Sequence, residues 1–143
     1  SELRYRGYLA ALRDHGIEPD PELVMETGGC FEMAATYEGM CRLIERGVGF
    51  DAVFTLSDTT GIAAMKALQD RGLRVPEDVS VIAIDGLSVS EYITPTLTTM
   101  VQPSEEMGRE SVRILLDILE NGAQTRHIRL EAPLREGASV KRL

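Results

Sequence analysis

The apolar positions of the chain fall into two alternating patterns, one with helical spacing and one with short continuous runs. Segments of the first kind end close to a glycine, which predicts helices over Leu3–Asp14, Glu32–Arg46 and Thr59–Arg71. Segments of the second kind predict strands over Leu23–Glu26, Asp51–Leu56 and Val79–Asp85. This alternation of helices and strands is typical of βαβ units on a parallel sheet.

The run Val79–Asp85 is the most informative of these strands. It is mostly aliphatic or β-branched until Asp85, and Gly86 follows directly. A strand without polar alternation is expected to be covered on both faces of a sheet. In open α/β sheets, ligands bind beyond the carboxyl ends of the strands. We therefore expect Asp85 to face a ligand, with the closing of a turn with Gly86 as the alternative.

The second half of the chain follows a different order. The pattern predicts a loop over Gly86–Pro95, a strand over Leu97–Gln102, a helix over Ser104–Asn121, a late strand over His127–Leu134 and a polar tail over Arg135–Leu143. The chain also opens with a helix where a doubly wound unit normally opens with a strand. We therefore expect a strand, and more of a parent protein, before Ser1.

Composition narrows the classes of function. The chain has 143 residues and a net charge of −8 without a basic cluster, which disfavours binding of a phosphate backbone. It has no apolar run that could span a membrane and no secretory signal, which favours a cytoplasmic location. Its two cysteines lack metal-ligand spacing, so we expect two reduced thiols and no metal. No phosphate-binding loop or nucleophile elbow occurs, and no cofactor is expected.

Polar groups follow the predicted strands at positions that share one edge of a parallel sheet. They are Asp85, the pair Ser57-Asp58, and the turn before Phe31. Carboxylate, hydroxyl and aromatic groups together suit a polyhydroxylated or heterocyclic small molecule. Alternatives exist for each: Asp58 is well placed to cap a helix, and Phe31 could belong to the core.

Four motifs follow one another along the chain. They are RYRGYLAAL, CFEMAATYEGM, DAVFTLSDTTGIAAMKALQDRGLRVPEDVSVIAIDG and PTLTTMVQPSEEMG. Their order resembles the lactose/galactose-repressor family of bacterial transcription regulators. The resemblance implies the C-terminal part of a two-lobed, periplasmic-binding-protein-like core, α/β with a doubly wound, mostly parallel sheet. In such proteins an effector binds between the lobes and changes the affinity for DNA.

The resemblance also implies effector contacts at six positions. They are Arg4, Phe31, Ser57, the adjacent Asp58, Asp85 and Gln102. An arginine fork and an aspartate would fix a sugar-like ligand by paired hydrogen bonds. On pattern alone Arg4 would instead be a solvated charge. Ala83-Ile84 and Gly86 depart from the residues usual in the family, and the effector stays unnamed.

The resemblance assigns residues 1–95 and 126–143 to the C-terminal lobe, and residues 96–125 to a crossover strand and helix of the N-terminal lobe. DNA would be bound only through an N-terminal head outside this chain, in a homodimer without membrane contact. Without its lobe, the leucine face of Ser104–Asn121 would be exposed, and we expect self-association. The rival interpretations are a transport-type sugar-binding protein and a small metal-dependent enzyme that uses Asp58 and Asp85.

Overall fold

The structure is a computed structural model and describes residues 2–26 and 32–142. These residues form helices and strands in the following order: α1 Glu2–Asp14, α2 Met33–Glu45, β1 Ala52–Phe54, α3 Asp58–Asp70, β2 Ser80–Asp85, β3 Thr98–Val101, α4 Ser104–Asn121 and β4 Leu134–Arg135. Two short 3-10 helices, Pro21–Leu23 and Ser88–Glu91, lie in the connections. The helix predictions are confirmed to within one or two residues.

The strands form one sheet in the order β1-β2-β3-β4. β1, β2 and β3 are parallel, with Val53 opposite Val81 and Ala83 opposite Thr99. β4 pairs antiparallel with β3 at the edge. The predicted α/β class with a mostly parallel sheet is therefore confirmed.

The hydrophobic core lies between one face of the sheet and helices α2 and α3. Met40, Leu68, Val81 and Leu97 are among its fully buried side chains. Gly61 permits the close approach of α3, because a Cβ there would lie 3.0 Å from Leu97 Cδ2 and 3.1 Å from the Cβ of Ala83. Helix α3 thereby packs directly on β2 and on Leu97, the residue that precedes β3.

The opposite face of the sheet is covered less completely, which limits the prediction made for Val79–Asp85. Val81 and Ala83 are fully buried on the core face, whereas Ile82 and Ile84 are only half-buried. Neither α1 nor α4 contains a buried residue. The expectation that this strand is covered on both faces is thus correct for one face only.

The strand predicted over Leu23–Glu26 is wrong. Pro21–Leu23 forms a 3-10 helix, and residues 24–26 are irregular. Asp20 accepts a hydrogen bond from Glu22 N at 2.8 Å, and the fixed φ of Pro21 suits a first helical turn. This capped start outweighs the apolar run, although Leu23 still packs against the core.

The strand predicted over His127–Leu134 is mostly wrong as well, because only Leu134–Arg135 pairs with β3. β3 itself has four residues and leads at once into α4, so it offers little backbone for pairing. The predicted polar tail is mostly exposed but is anchored to the fold at Ser139. Ser139 is fully buried and donates a hydrogen bond to Val81 O at 2.6 Å.

Candidate functional site

Three of the residues predicted from the sequence meet beyond the carboxyl ends of β2 and β3. The Asp85 carboxylate accepts a hydrogen bond from the side-chain amide of Gln102. Arg4 approaches the same oxygen, with its Nη2 at 3.6 Å from Asp85 Oδ1. The side chains of Arg4 and Asp85 are 30% and 24% exposed, so both can still be reached from solvent. Arginine from α1, aspartate from the end of β2 and glutamine from the residue after β3 thus form one polar cluster.

Helix α1 carries Arg4 to this cluster through two contacts with the chain around β1. Arg4 Nη1 donates to the carbonyl oxygen of Leu56. One helical turn later, the ring of Tyr8 stacks on Phe54 with 6.2 Å between centroids and 13° between planes. Because residues four apart share a helix face, the aromatic stack and the arginine contact fix the same side of α1.

Gln102 is placed by the pairing of two parallel strands. Asp85 lies opposite Val101 in the register of β2 and β3. Gln102 N donates to Asp85 O at 3.1 Å, and its side chain continues to the carboxylate. Parallel pairing therefore brings both residues to the edge where ligands bind in open α/β sheets.

The backbone at the end of β2 is strained. Asp85 has φ 135°, which side chains with a Cβ rarely adopt, and such residues cost about 1–3 kcal/mol. Gly86 follows with φ 76°, and a Cβ there would lie 2.8 Å from Val101 Cα. This turn therefore requires glycine at position 86.

Ser57 and Asp58 make their observed contacts within the chain. Ser57 is the N-cap of α3, with its hydroxyl accepting from Thr60 N at 3.2 Å and Thr60 Oγ1 accepting from Ser57 N at 3.1 Å. This reciprocal capping box sets the start of α3. Asp58 is fully buried and accepts from Leu87 N at 2.6 Å. Contact of either residue with an effector stays a prediction, as does that of Phe31, which lies outside the described residues.

A hollow lies beside the cluster, at the first turn of α4. It is lined by residues 102–106 and Arg109. Within residues 2–26 and 32–142, no three His, Cys, Asp or Glu side chains are grouped as metal ligands would be. The arrangement offers hydrogen-bond donors and acceptors along one wall.

The sequence patterns do not single out the residues that support this wall. Thr99 lies within the strand predicted over Leu97–Gln102, and nothing local indicates its hydrogen bond to Asp58. Tyr8 lies within the helix predicted over Leu3–Asp14, and its position four residues after Arg4 is the one signal that the sequence offers. Phe54 and Leu56 lie within the strand predicted over Asp51–Leu56.

The family model described as "periplasmic binding protein-like domain" matches residues 1–140, and the chain belongs to this family. Among curated relatives, the HTH-type transcriptional regulator CelR of Thermobifida fusca is 41% identical over 127 residues, which are 89% of this chain and 36% of CelR. The HTH-type transcriptional regulator MalR of Clostridium butyricum is 34% identical over 133 residues, which are 93% of this chain and 39% of MalR.

Solved structures agree with this assignment. A complex of the transcriptional regulator CelR with cellobiose superimposes with a TM-score of 0.85 at 40% identity, over 95% of this chain and 41% of that one. A LacI-type transcription regulator from Bifidobacterium animalis subsp. lactis superimposes with a TM-score of 0.87 at 29% identity, over 98% of this chain and 50% of that one. The predicted resemblance to the lactose/galactose-repressor family is confirmed.

The chain spans less than half of the length of the curated relatives that it matches. The relatives named above are transcriptional regulators, and neither is named as an enzyme. Among the helices of the described residues, none combines the length and apolar character needed to cross a membrane.

Proposed function

We propose that this chain forms the C-terminal part of the effector-binding core of a bacterial transcription regulator. The cluster of Arg4, Asp85 and Gln102 carries the proposal, because it gathers ionic and amide groups at a solvent-accessible rim. These groups bind a sugar or related metabolite in a cleft whose other wall belongs to a second lobe. The complex of CelR with cellobiose supports a sugar as the effector.

The chemistry of the cluster suits neighbouring hydroxyl groups. A guanidinium presents several N–H donors in a rigid fork, and a carboxylate accepts at both oxygens. The Arg4–Asp85 separation of 3.6 Å leaves both groups free to exchange their mutual contact for hydrogen bonds to a ligand. Pairs of charge-assisted bonds would then define the orientation of a sugar ring.

The effector would act by shifting a conformational equilibrium of the whole regulator. A ligand that binds the closed arrangement of two lobes more tightly than the open one favours closure. In a homodimer with N-terminal DNA-binding heads, closure changes the relative placement of the heads and therefore the affinity for DNA. Such a regulator acts in the cytoplasm and needs no cofactor.

The test is Asp85→Ala in the intact protein, with operator binding and its response to sugars as readouts. A thermal-shift screen that begins with cellobiose, and continues with other disaccharides and nucleobases, selects the effector. We expect Asp85→Ala to abolish the effector response while operator binding is retained. The matched control is Asp51→Ala, since Asp51 precedes β1 at the other end of the strands. An unchanged response in Asp85→Ala would contradict the site assignment.

A further inference from the structure

A buried hydrogen-bond network joins the start of α3 to the turn that follows β2. Asp58, the first residue of α3, is fully buried, and both of its carboxylate oxygens have partners. Oδ2 accepts from Leu87 N at 2.6 Å, and Oδ1 accepts from the hydroxyl of Thr99. The Thr99 hydroxyl accepts in turn from Gly86 N at 3.3 Å. One carboxylate therefore holds two consecutive backbone amides, one directly and one through threonine.

We expect this network to be rigid, because breaking any one of its hydrogen bonds would leave a buried polar group without a partner. A buried carboxylate without partners is strongly unfavourable, so Asp58 is held to its donors. Hydrogen bonds to an ionised acceptor are also stronger than neutral ones. The positive end of the α3 dipole further favours a carboxylate in the first helical turn.

The two amides held by this network are those of Gly86 and Leu87, directly after Asp85. Asp85 has the strained φ of 135°, and it persists only where its surroundings determine it. If the amides were released, the backbone would relax towards negative φ. Relaxation would turn the Asp85 carboxylate away from Arg4 and Gln102.

We propose that Asp58 and Thr99 are positioning residues of the effector site. They hold the turn Asp85–Leu87 so that the Asp85 carboxylate faces Arg4 and Gln102, and Asp58 itself does not touch the effector. This inference rests on the proposed function of the Asp85 cluster. In place of the direct effector contact that the sequence predicts for Asp58, this inference gives Asp58 an indirect role through the turn Asp85–Leu87.

The test compares Thr99→Val, which keeps the shape but removes the hydroxyl, with Thr99→Ser, which restores a hydroxyl. Thr98→Val is the matched control, because Thr98 is a buried neighbour on β3 whose hydroxyl accepts from Gly137 N instead. Asp58→Asn is the second variant, since an amide keeps one acceptor oxygen where the carboxylate has two and so cannot accept from both Leu87 N and the Thr99 hydroxyl.

The first measurement is amide hydrogen exchange at Gly86 and Leu87 by NMR, which requires no effector. We expect exchange about tenfold faster in Thr99→Val, as for the loss of about one hydrogen bond. Exchange should return towards wild type in Thr99→Ser and stay unchanged in Thr98→Val. Equal exchange in Thr99→Val and wild type would overturn the inference.

The second measurement is the affinity of the intact protein for the sugar selected by the screen that begins with cellobiose. We expect a loss of about tenfold in Thr99→Val and in Asp58→Asn, with recovery in Thr99→Ser. If Thr99→Val bound the sugar as tightly as Thr98→Val, the positioning role would be overturned. If no sugar or nucleobase binds wild type, the proposed function fails, and the exchange measurement alone decides whether the network holds the turn.

Discussion

Helices α3 and α4 both present an apolar stripe at helical spacing, but only that of α3 is buried. In α3 the inner residues Ala64, Ala67 and Leu68 are fully buried in the core. In α4 no residue is buried, and Leu119 is 71% exposed. The comparison shows that an amphipathic pattern specifies a helix and its apolar face but not the surface that covers it.

The largest expected difference between the two helices comes from truncation of one leucine in each. Leu68→Ala removes a fully buried side chain and should lower the free energy of unfolding by about 2–5 kcal/mol. Leu119→Ala should change it by no more than about 0.5 kcal/mol, since Leu119 is exposed. Urea denaturation at a concentration where the chain is monomeric measures both. Equal losses would contradict the exposure of Leu119 in the monomer.

Replacing one glycine in each helix by alanine should change the stability of the chain in opposite directions. Gly61→Ala would bring a Cβ to 3.0 Å from Leu97 Cδ2 and should destabilise the chain by about 1–3 kcal/mol through overpacking. Gly108→Ala meets no atom within 4 Å and should stabilise α4 by about 0.5–1 kcal/mol through helix propensity. Thermal unfolding of both variants checks the signs. Destabilisation by Gly108→Ala would contradict the open surroundings of α4.

These two helices also show what the sequence could and could not predict. The bounds of α3 and α4 followed from apolar spacing and from the residues at their ends, which are local signals. The burial of α3 depends on the sheet and on α2, which are separate from it in the sequence. The exposure of α4 was expected only from the family resemblance, which assigns this helix to the N-terminal lobe. The strand predicted over His127–Leu134 failed because only Leu134–Arg135 pairs with β3, and pairing with a strand distant in the sequence is not recorded in a local alternation of apolar residues.

The candidate site was predictable to a similar extent. Asp85 was expected at the rim from its place at the end of a buried strand, and parallel pairing brings Gln102 beside it. The role of Thr99 could not be predicted, because its partner Asp58 is 41 residues away in the sequence. The strained φ of Asp85 was also hidden, although Gly86 indicated a turn at that point.

We expect the chain to self-associate, with a second copy covering the exposed apolar stripe of α4. Val112, Leu115, Leu116 and Leu119 are each between 46% and 71% exposed on this helix. A contiguous apolar stripe of this kind favours association in water. Light scattering should show a mass that rises with concentration and returns to that of a monomer in Leu119→Glu. A monomer at high concentration would contradict the expectation.

The smallest expected effect concerns two ion pairs, Arg74–Asp78 shortly after α3 and Arg109–Glu105 on α4. Asp78 accepts from Arg74 Nη2 at 2.7 Å, Nε at 2.9 Å and backbone N at 2.8 Å, and these hydrogen bonds hold the pKa of the Asp78 carboxyl well below its ordinary value of 3.8. The stabilisation of the folded chain by these hydrogen bonds is therefore complete at pH values above the unfolded pKa. It is lost as the pH falls through the lower, folded pKa.

Asp78→Asn should lower the stability slightly at pH 7 and flatten the decline of stability below about pH 4. Glu105→Gln, which removes the exposed pair with Arg109, is the matched control on α4. Chemical denaturation between pH 2 and 7 measures this difference, and a wild-type decline retained in Asp78→Asn would assign the acid sensitivity to other carboxylates.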